Sequence, residues 1–354
     1  MTDVLVAGGG PAGLATAVHC ARLGLRTVVL EQRAGTVDKA CGEGLMPAAV
    51  GELEELVGVV PGVPLRGIRY LDDRGHRAEA RFRDGAGRGV RRTQLHGALL
   101  DAVAAAGVPV VEERVGAVRQ DDRGVSVGSH RARYLVAADG LHSPVRAQLG
   151  LTRKDVRVPR HGLRRHYAVE AWSDLVEVHW SDRSEAYVTP VAPGLVGVAV
   201  LSSLREPFEQ QLRRFPELLE RLPAEASTRT RGAGPLRQRS AARVAGRVLL
   251  VGDAAGYVDA LTGEGVALSL LCARELAGCL AADKPDVYEQ AWRTASWRYR
   301  LLTEALLWAG RSVLLRRSVV PAAQLMPRMF GAAVQQLAGP PRHPDGVSAA
   351  PDRS

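Results

Sequence analysis

Lysine is nearly missing from this chain. Of 47 basic residues, only Lys39, Lys154 and Lys284 are lysines, and the rest are arginines. The formal charge is +9, but the arginines are scattered rather than strung along an aromatic groove, which argues against a nucleic-acid binder. The one dense stretch, 153–165, holds six basic residues and one Asp and reads as a solvated loop rather than a phosphate or membrane patch. Cysteine is scarce too. Cys20, Cys41, Cys272 and Cys279 form no C-x-x-C pair, so neither a disulfide framework nor a thiolate metal site is expected. No apolar run reaches the length of a membrane span, the densest being 305–309. The start runs straight into a strand with no signal-peptide pattern, so a reduced, cytoplasmic protein is expected. No metal-ligand spacing, no G-x-S-x-G and no phosphate P-loop is present. What remains is 46% hydrophobic and 24% charged, and 354 residues suffice for two domains or one domain with an inserted lobe.

The chain is organised around its first thirty-one residues. Residues 3–8, Asp-Val-Leu-Val-Ala-Gly, suit a buried parallel strand. Gly8, Gly10 and Gly13 then form a G-x-G-x-x-G, with Pro11 and Ala12 opening a helix that stops near Gly24. Arg26 to Leu30 is a second strand, closed by Glu31-Gln32-Arg33. Gly8 permits the tight turn, Gly10 lets backbone approach a pyrophosphate, and Gly13 lets helix and strand pack closely. The helix N-terminus offers free N–H groups to phosphate. Glu31 lies where a carboxylate accepts from a ribose hydroxyl, and an acid there favours a free 2′-OH, as in FAD or NAD. The order strand, glycines, helix, strand, Glu makes this a dinucleotide site.

Further on, Cys41-Gly42-Glu43-Gly44 precedes a helix near 47–57. Glycines around a carboxylate suit backbone brought close to something bulky, or else a turn capping the helix with Cys41 as a small buried hydrophobe. Residues 65–84 alternate like paired strands, 95–106 like a helix, and 134–138 like a buried strand ending in Asp139-Gly140. Composition changes near 151. Segments 166–172, 175–180, 186–190 and 195–201 read as an antiparallel sheet. It carries Trp172, Trp180 and Tyr187, which either wall an apolar pocket or are plain core. A helix is expected over 207–221. The strand 247–251 leads into Gly252-Asp253, and Gly263-Glu264-Gly265 opens a long helix. The chain reads as helical to about 337, and the tail from Gly339 as unstructured.

Three glycine-bearing junctions in this order resemble the FAD-dependent superfamily that contains p-hydroxybenzoate hydroxylase and the geranylgeranyl reductases. The resemblance covers roughly residues 1–285. It implies an α/β fold: a Rossmann-like FAD-binding domain with an inserted antiparallel β-sheet substrate domain and C-terminal helices. The parts fall at 1–150 and 236–285 for the FAD domain, 151–235 for the substrate sheet, 286–338 for the helices and 339–354 for the tail. The resemblance places the ADP half of FAD at the first junction. It places Asp139, Gly140, Ser143 and Arg146 near the pyrophosphate and links them to NAD(P)H use. It sets Gly252 and Asp253 on the ribityl chain, and Arg92, with Leu95 after it, on the cofactor. The N–H groups at Gly263, Glu264 and Gly265, at a helix start, are suited to negative charge on a reduced isoalloxazine.

Within the superfamily, Cys41-Gly42-Glu43-Gly44 is similar to a segment of archaeal geranylgeranyl reductases. Their Y-x-W-x-F-P segment is represented only by Tyr187-Val188-Thr189-Pro190, and the proline-rich stretch of the hydroxylases is absent from the third junction. The leading expectation is a monooxygenase for an apolar aromatic or polyketide-like molecule, with electrons from NAD(P)H. The alternative is a reductase of C=C bonds in an isoprenoid or lipid, and the third a flavin-binding partner protein without turnover. Cys41, Glu43 and Tyr187, with His166, are the candidate catalytic residues by position. The expected partners are an apolar small molecule and weak membrane-surface contact through the basic or C-terminal helical segments.

Overall fold

The computed structural model describes residues 2–309 and 312–339. The tail expected to lack structure lies, from 340 on, outside them. At the centre is a parallel sheet whose strands run in space Val248–Leu250, His130–Ala137, Thr2–Ala7, Thr27–Glu31 and Val110–Glu112. The order reverses between Thr2–Ala7 and His130–Ala137. Ligands of open α/β sheets bind beyond the strand C-termini at such a reversal. The first two junctions, Gly8–Gly13 and Asp139-Gly140, both begin there. The strands are near-continuous apolar runs because helices cover both faces. Pro11–Arg22 and Gly265–Ala281 pack together, burying Leu14, Val18, Leu270 and Leu276 with Val4, Val6 and Val136.

The second sheet is larger than its expected boundaries. Its order is Arg231–Ala233, His161–Tyr167, Leu195–Ser202, Ser184–Ala192, Val176–Trp180, Gly67–Asp72 and Arg77–Arg81. The last two strands come from the segment assigned to the first domain, and Gly67–Asp72 pairs parallel with Val176–Trp180, so the sheet is mixed rather than purely antiparallel. Alternation within 65–84 shows that strands pair, not which third strand they join; that pairing spans more than 100 residues. One face of this sheet buries Tyr70, Trp180 and Val178 under Phe330, Val334 and Val320 of the C-terminal helices. The other buries Val188 and Val198 under Phe208, Leu212 and Leu218. Trp180 is therefore core. The helix expected over 207–221 is broken into Phe208–Leu212 and Pro216–Leu219, since the residue before a proline is pushed out of helical backbone and Phe215 stands at φ −126°, ψ 68°.

The basic stretch is not a solvated loop throughout. His161–Tyr167 is a strand, and Arg164, 1% exposed, is among the most buried side chains. Arg160 pairs with Glu185 at 2.7 Å and with Asp259 at 3.1 Å. Among the described residues no helix is long and apolar enough to cross a membrane, and no His, Cys, Asp and Glu group could hold a metal ion.

Candidate active site

The first junction is shaped by what its glycines leave out. Gly8 sits at φ +108°, and a Cβ on Gly13 would come within 1.9 Å of the Gly8 carbonyl oxygen. Gly10 faces open space, as a turn that receives a pyrophosphate must. Pro11 and Ala12 form the first turn of the helix. Glu31 closes the second strand and is buried. Its Oε2 accepts from Gly9 N–H at 2.8 Å, and its Oε1 from Arg33 N–H and Nε–H at 3.1 and 2.8 Å. Burial alone would raise its pKa; the Arg33 guanidinium and these N–H groups outweigh burial and hold it below the usual carboxylate range. Gln32 follows it on the exposed side of the loop.

His96 is a member of this junction that sequence reading missed. Its Nδ1 accepts from Val37 N–H at 3.2 Å, so Nε2 carries the proton and donates to the Gly9 carbonyl at 2.7 Å. Burial lowers its pKa and keeps it neutral in that role. No periodicity marks such a residue; only the tertiary contact does.

The three junctions meet. A Cβ on Gly252, at φ +62°, would touch the Ala12 side chain at 2.7 Å, and one on Gly140 would lie 3.6 Å from Lys39 Nζ. Arg146 is a staple rather than a ligand-facing cation. Its Nη1 donates to the Asp253 and Ala254 carbonyls at 3.3 and 3.0 Å, and its Nη2 to Leu141 O and Gln238 Oε1, both at 2.9 Å. Asp139 receives Val145 N–H on Oδ2 and leaves Oδ1 without a partner among the described residues; burial raises its pKa. Desolvation raises the Asp253 pKa, and the charges of Lys39, Arg92 and Arg146 only partly counter it.

Arg92 is 5% exposed, and its Nη1 has no hydrogen-bond partner among the described residues. A buried guanidinium left open is costly unless an anion completes it. Together with the open Gly10, the unpartnered Asp139 oxygen and the half-buried Asp253, it makes these residues fit FAD. Phosphates would lie at the Gly10–Gly13 turn and Arg92, and hydroxyls at Glu31 and Asp253. Gly263 and Gly265 flank Glu264 at the head of the Gly265–Ala281 helix. Glu264 itself is 5% exposed, and neither carboxyl oxygen has a partner at hydrogen-bond distance among the described residues. Burial pushes its pKa up to about 8, against a weaker pull from the Thr262 hydroxyl. It lines a cleft of about 380 Å³, mouth included, with Tyr257, Trp292 and Tyr299.

Beside this cradle lies a buried charged cluster. Glu43 is 3% exposed and held at φ 59°, a left-handed backbone rare for a side chain of this size. Its Oε1 accepts from Arg92 N–H at 2.7 Å and its Oε2 from His166 Nε2 at 2.5 Å. Arg164 can only donate, so its 3.1 Å contact makes His166 Nδ1 the acceptor and leaves the proton on Nε2. Arg164 also pairs with Asp38 and donates to Lys39 O at 3.0 Å. The Cys41 sulfur accepts from Glu43 N–H at 3.4 Å. Burial, and then the Glu43 charge, push the Cys41 thiol up, so it keeps its proton at neutral pH. Of the four candidates, Cys41, Glu43 and His166 are thus brought together. Tyr187 is not free: its hydroxyl donates to Leu261 O at 2.8 Å, anchoring the loop that leads to Gly263–Gly265.

Comparison with known proteins agrees with this geometry. The FAD binding domain family matches residues 1–284. A menaquinone reductase of Mycolicibacterium smegmatis is 30% identical over 330 residues, covering 82% of this chain and 79% of that protein. A para-nitrophenol 4-monooxygenase of Pseudomonas sp. is 28% identical, covering 80% and 78%. Among solved structures the Diels-Alderase PyrE3 superposes with a TM-score of 0.77 over 96% of this chain and 80% of its own, at 23% identity, a likeness of fold. The chain belongs to the FAD binding domain family and is an FAD-dependent oxidoreductase.

Proposed function

We propose that this oxidoreductase is a reductase that saturates a carbon–carbon double bond in an isoprenoid or other apolar lipid. The observation that carries the reading is the Cys41 thiol, held protonated beside Glu43 and next to Arg92 at the edge of the flavin cradle. Saturating a double bond consumes two electrons and two protons, delivered as a hydride and a proton. Bound FAD, once reduced, would supply the hydride. Cys41 would hold the proton, and Glu43, fixed by His166 and the Arg92 N–H, would keep that thiol from ionising. Arg92, Glu31 and Asp253 would bind and orient the cofactor. We assign the electron donor to NAD(P)H on the presence of the Asp139-Gly140 junction that the family resemblance links to it. The similarity to a menaquinone reductase supports an apolar substrate. Hydroxylation of an aromatic ring is the second reading, favoured by the nitrophenol monooxygenase relative.

The test is anaerobic. FAD-loaded protein reduced with NADPH or NADH is mixed with a prenylated lipid and the product weighed. Gain of two hydrogens without oxygen supports the reductase, whereas a product that forms only with oxygen and carries an added oxygen atom refutes it. Cys41→Ala should lower the reduction rate by about 10²-fold or more while the flavin spectrum is unchanged.

A further inference from the structure

The Tyr288–Ala309 helix has two apolar faces, and the protein uses one. At about 100° per residue, Trp292, Ser296 and Thr303 share a side, and all three are buried. Trp297, Leu301 and Trp308 fall within about 40° of one another on another side, roughly 140° away, and are 53%, 61% and 61% exposed. No further rotation of the helix can bury both sets. The loop beside this outer face is fixed to it by Arg157, whose Nη1 donates to Glu304 at 2.6 Å. On either side of Arg157, Val156 is fully exposed and Val158 is 75% exposed.

The charge around these apolar residues has one sign. Glu304 lies on the same face, but Arg157 and Arg237 both pair with it, and Asp155 is paired with Arg237. Arg153, Lys154 and Arg298 have no ion pair among the described residues and border the face in sequence or helical position, the Arg298 guanidinium standing 5.5 Å from the Trp297 ring centre. Tryptophan and leucine projecting from a helix, rimmed by unpaired arginine, suit the boundary between headgroups and acyl chains, where aromatic rings sit at headgroup depth and basic residues meet anionic phosphate.

We propose that this face, the outer side of the Tyr288–Ala309 helix with the Val156–Val158 loop, docks the enzyme on the surface of an anionic lipid bilayer. Its purpose rests on the lipid-substrate reading above: a prenylated lipid resides in a membrane, and docking brings the active site to it. The face is exposed and positively rimmed whatever the substrate. A bilayer is favoured over a protein partner because the exposed groups form a convex helix ridge rimmed by excess positive charge.

The experiment uses full-length, FAD-loaded protein sedimented with vesicles of phosphatidylglycerol and phosphatidylcholine, or of phosphatidylcholine alone. The wild type should bind the anionic vesicles at least tenfold more strongly, with a blue shift of tryptophan fluorescence. Trp297→Ser, Leu301→Ser and Trp308→Ser combined should reduce that binding at least tenfold, with the flavin spectrum and melting temperature retained. Lys154→Gln with Arg298→Gln should weaken it severalfold and flatten its salt dependence. Equal binding to both vesicle types, no binding by the wild type, or an unaffected triple variant would overturn the proposal. So would a wild-type dimer that the triple variant converts to monomer, since the face would then be a contact between copies. Reduction of a detergent-dispersed prenylated lipid separates the two readings. A triple variant that still reduces it but has left the vesicles supports docking. A wild type that reduces nothing refutes the reductase and leaves the vesicle result standing.

Discussion

Removing the Glu43 carboxylate should unfold the protein more readily than any other single change in the candidate site. Glu43 holds two hydrogen bonds, to His166 and to the Arg92 N–H, and lies 3.8 Å from Arg164. Its side chain and those of His166 and Arg164 are each 0–1% exposed, so no water replaces what is lost. Deleting the carboxylate leaves two buried donors, His166 Nε2–H and the Arg92 N–H, without an acceptor, which costs about 1–3 kcal/mol each. Glu43→Ala keeps the backbone strain at φ 59°, which therefore cancels. Glu43→Gln keeps one acceptor oxygen for two donors and should cost about half as much. Domain stabilities are about 5–15 kcal/mol, so the alanine variant loses a large share. The assay is urea unfolding at fixed excess FAD, reading the midpoint at unchanged slope. A cycle with His166→Phe should return a coupling of at least about 1 kcal/mol. An alanine variant within about 0.5 kcal/mol of wild type, or a coupling near zero, would show that the cluster does not clamp residues 38–43 to the second sheet.

Gly13→Ala sets a Cβ within 1.9 Å of backbone at Gly8, so the purified protein should come out colourless, measured as flavin bound per chain. Arg92→Ala removes the open guanidinium but leaves the backbone N–H that binds Glu43, so FAD affinity should fall about 10–100-fold with stability little changed, by titration calorimetry. Glu264 makes stability fall with rising pH. Its folded pKa, about 8, lies above the unfolded value near 4.5, so its acid form favours the folded state. The contribution is intact below about pH 4.5 and declines to about pH 8, by roughly 5 kcal/mol in all. Glu264→Gln should flatten this slope in urea midpoints of flavin-depleted protein, and an unchanged slope would refute it.

The first junction was readable because its chemistry is local. Strand, glycines, helix and Glu31 lie within some thirty residues, and Gly8 and Gly13 are demanded by turn geometry and close packing wherever this unit occurs. The Gly252-Asp253 and Asp139-Gly140 turns were legible for the same reason. Arg146 was legible as a motif residue but not as a staple, because its acceptors, the Asp253 and Ala254 carbonyls, lie more than 100 residues away. His96 lies mid-helix with no signal beyond its identity, and only packing puts it on Gly9 O. Glu43 and His166 were named separately by position; folding makes them a pair across 123 residues, when the 161–167 strand is laid beside the 38–44 loop. The sequence alone thus determined the class of cofactor and the alternation of strand and helix, since periodicity and turn chemistry act over a few residues. Tertiary structure decided which strands share the second sheet, which charges are buried together and which thiol lies beside them, because those depend on distances and desolvation that exist only once distant segments are packed.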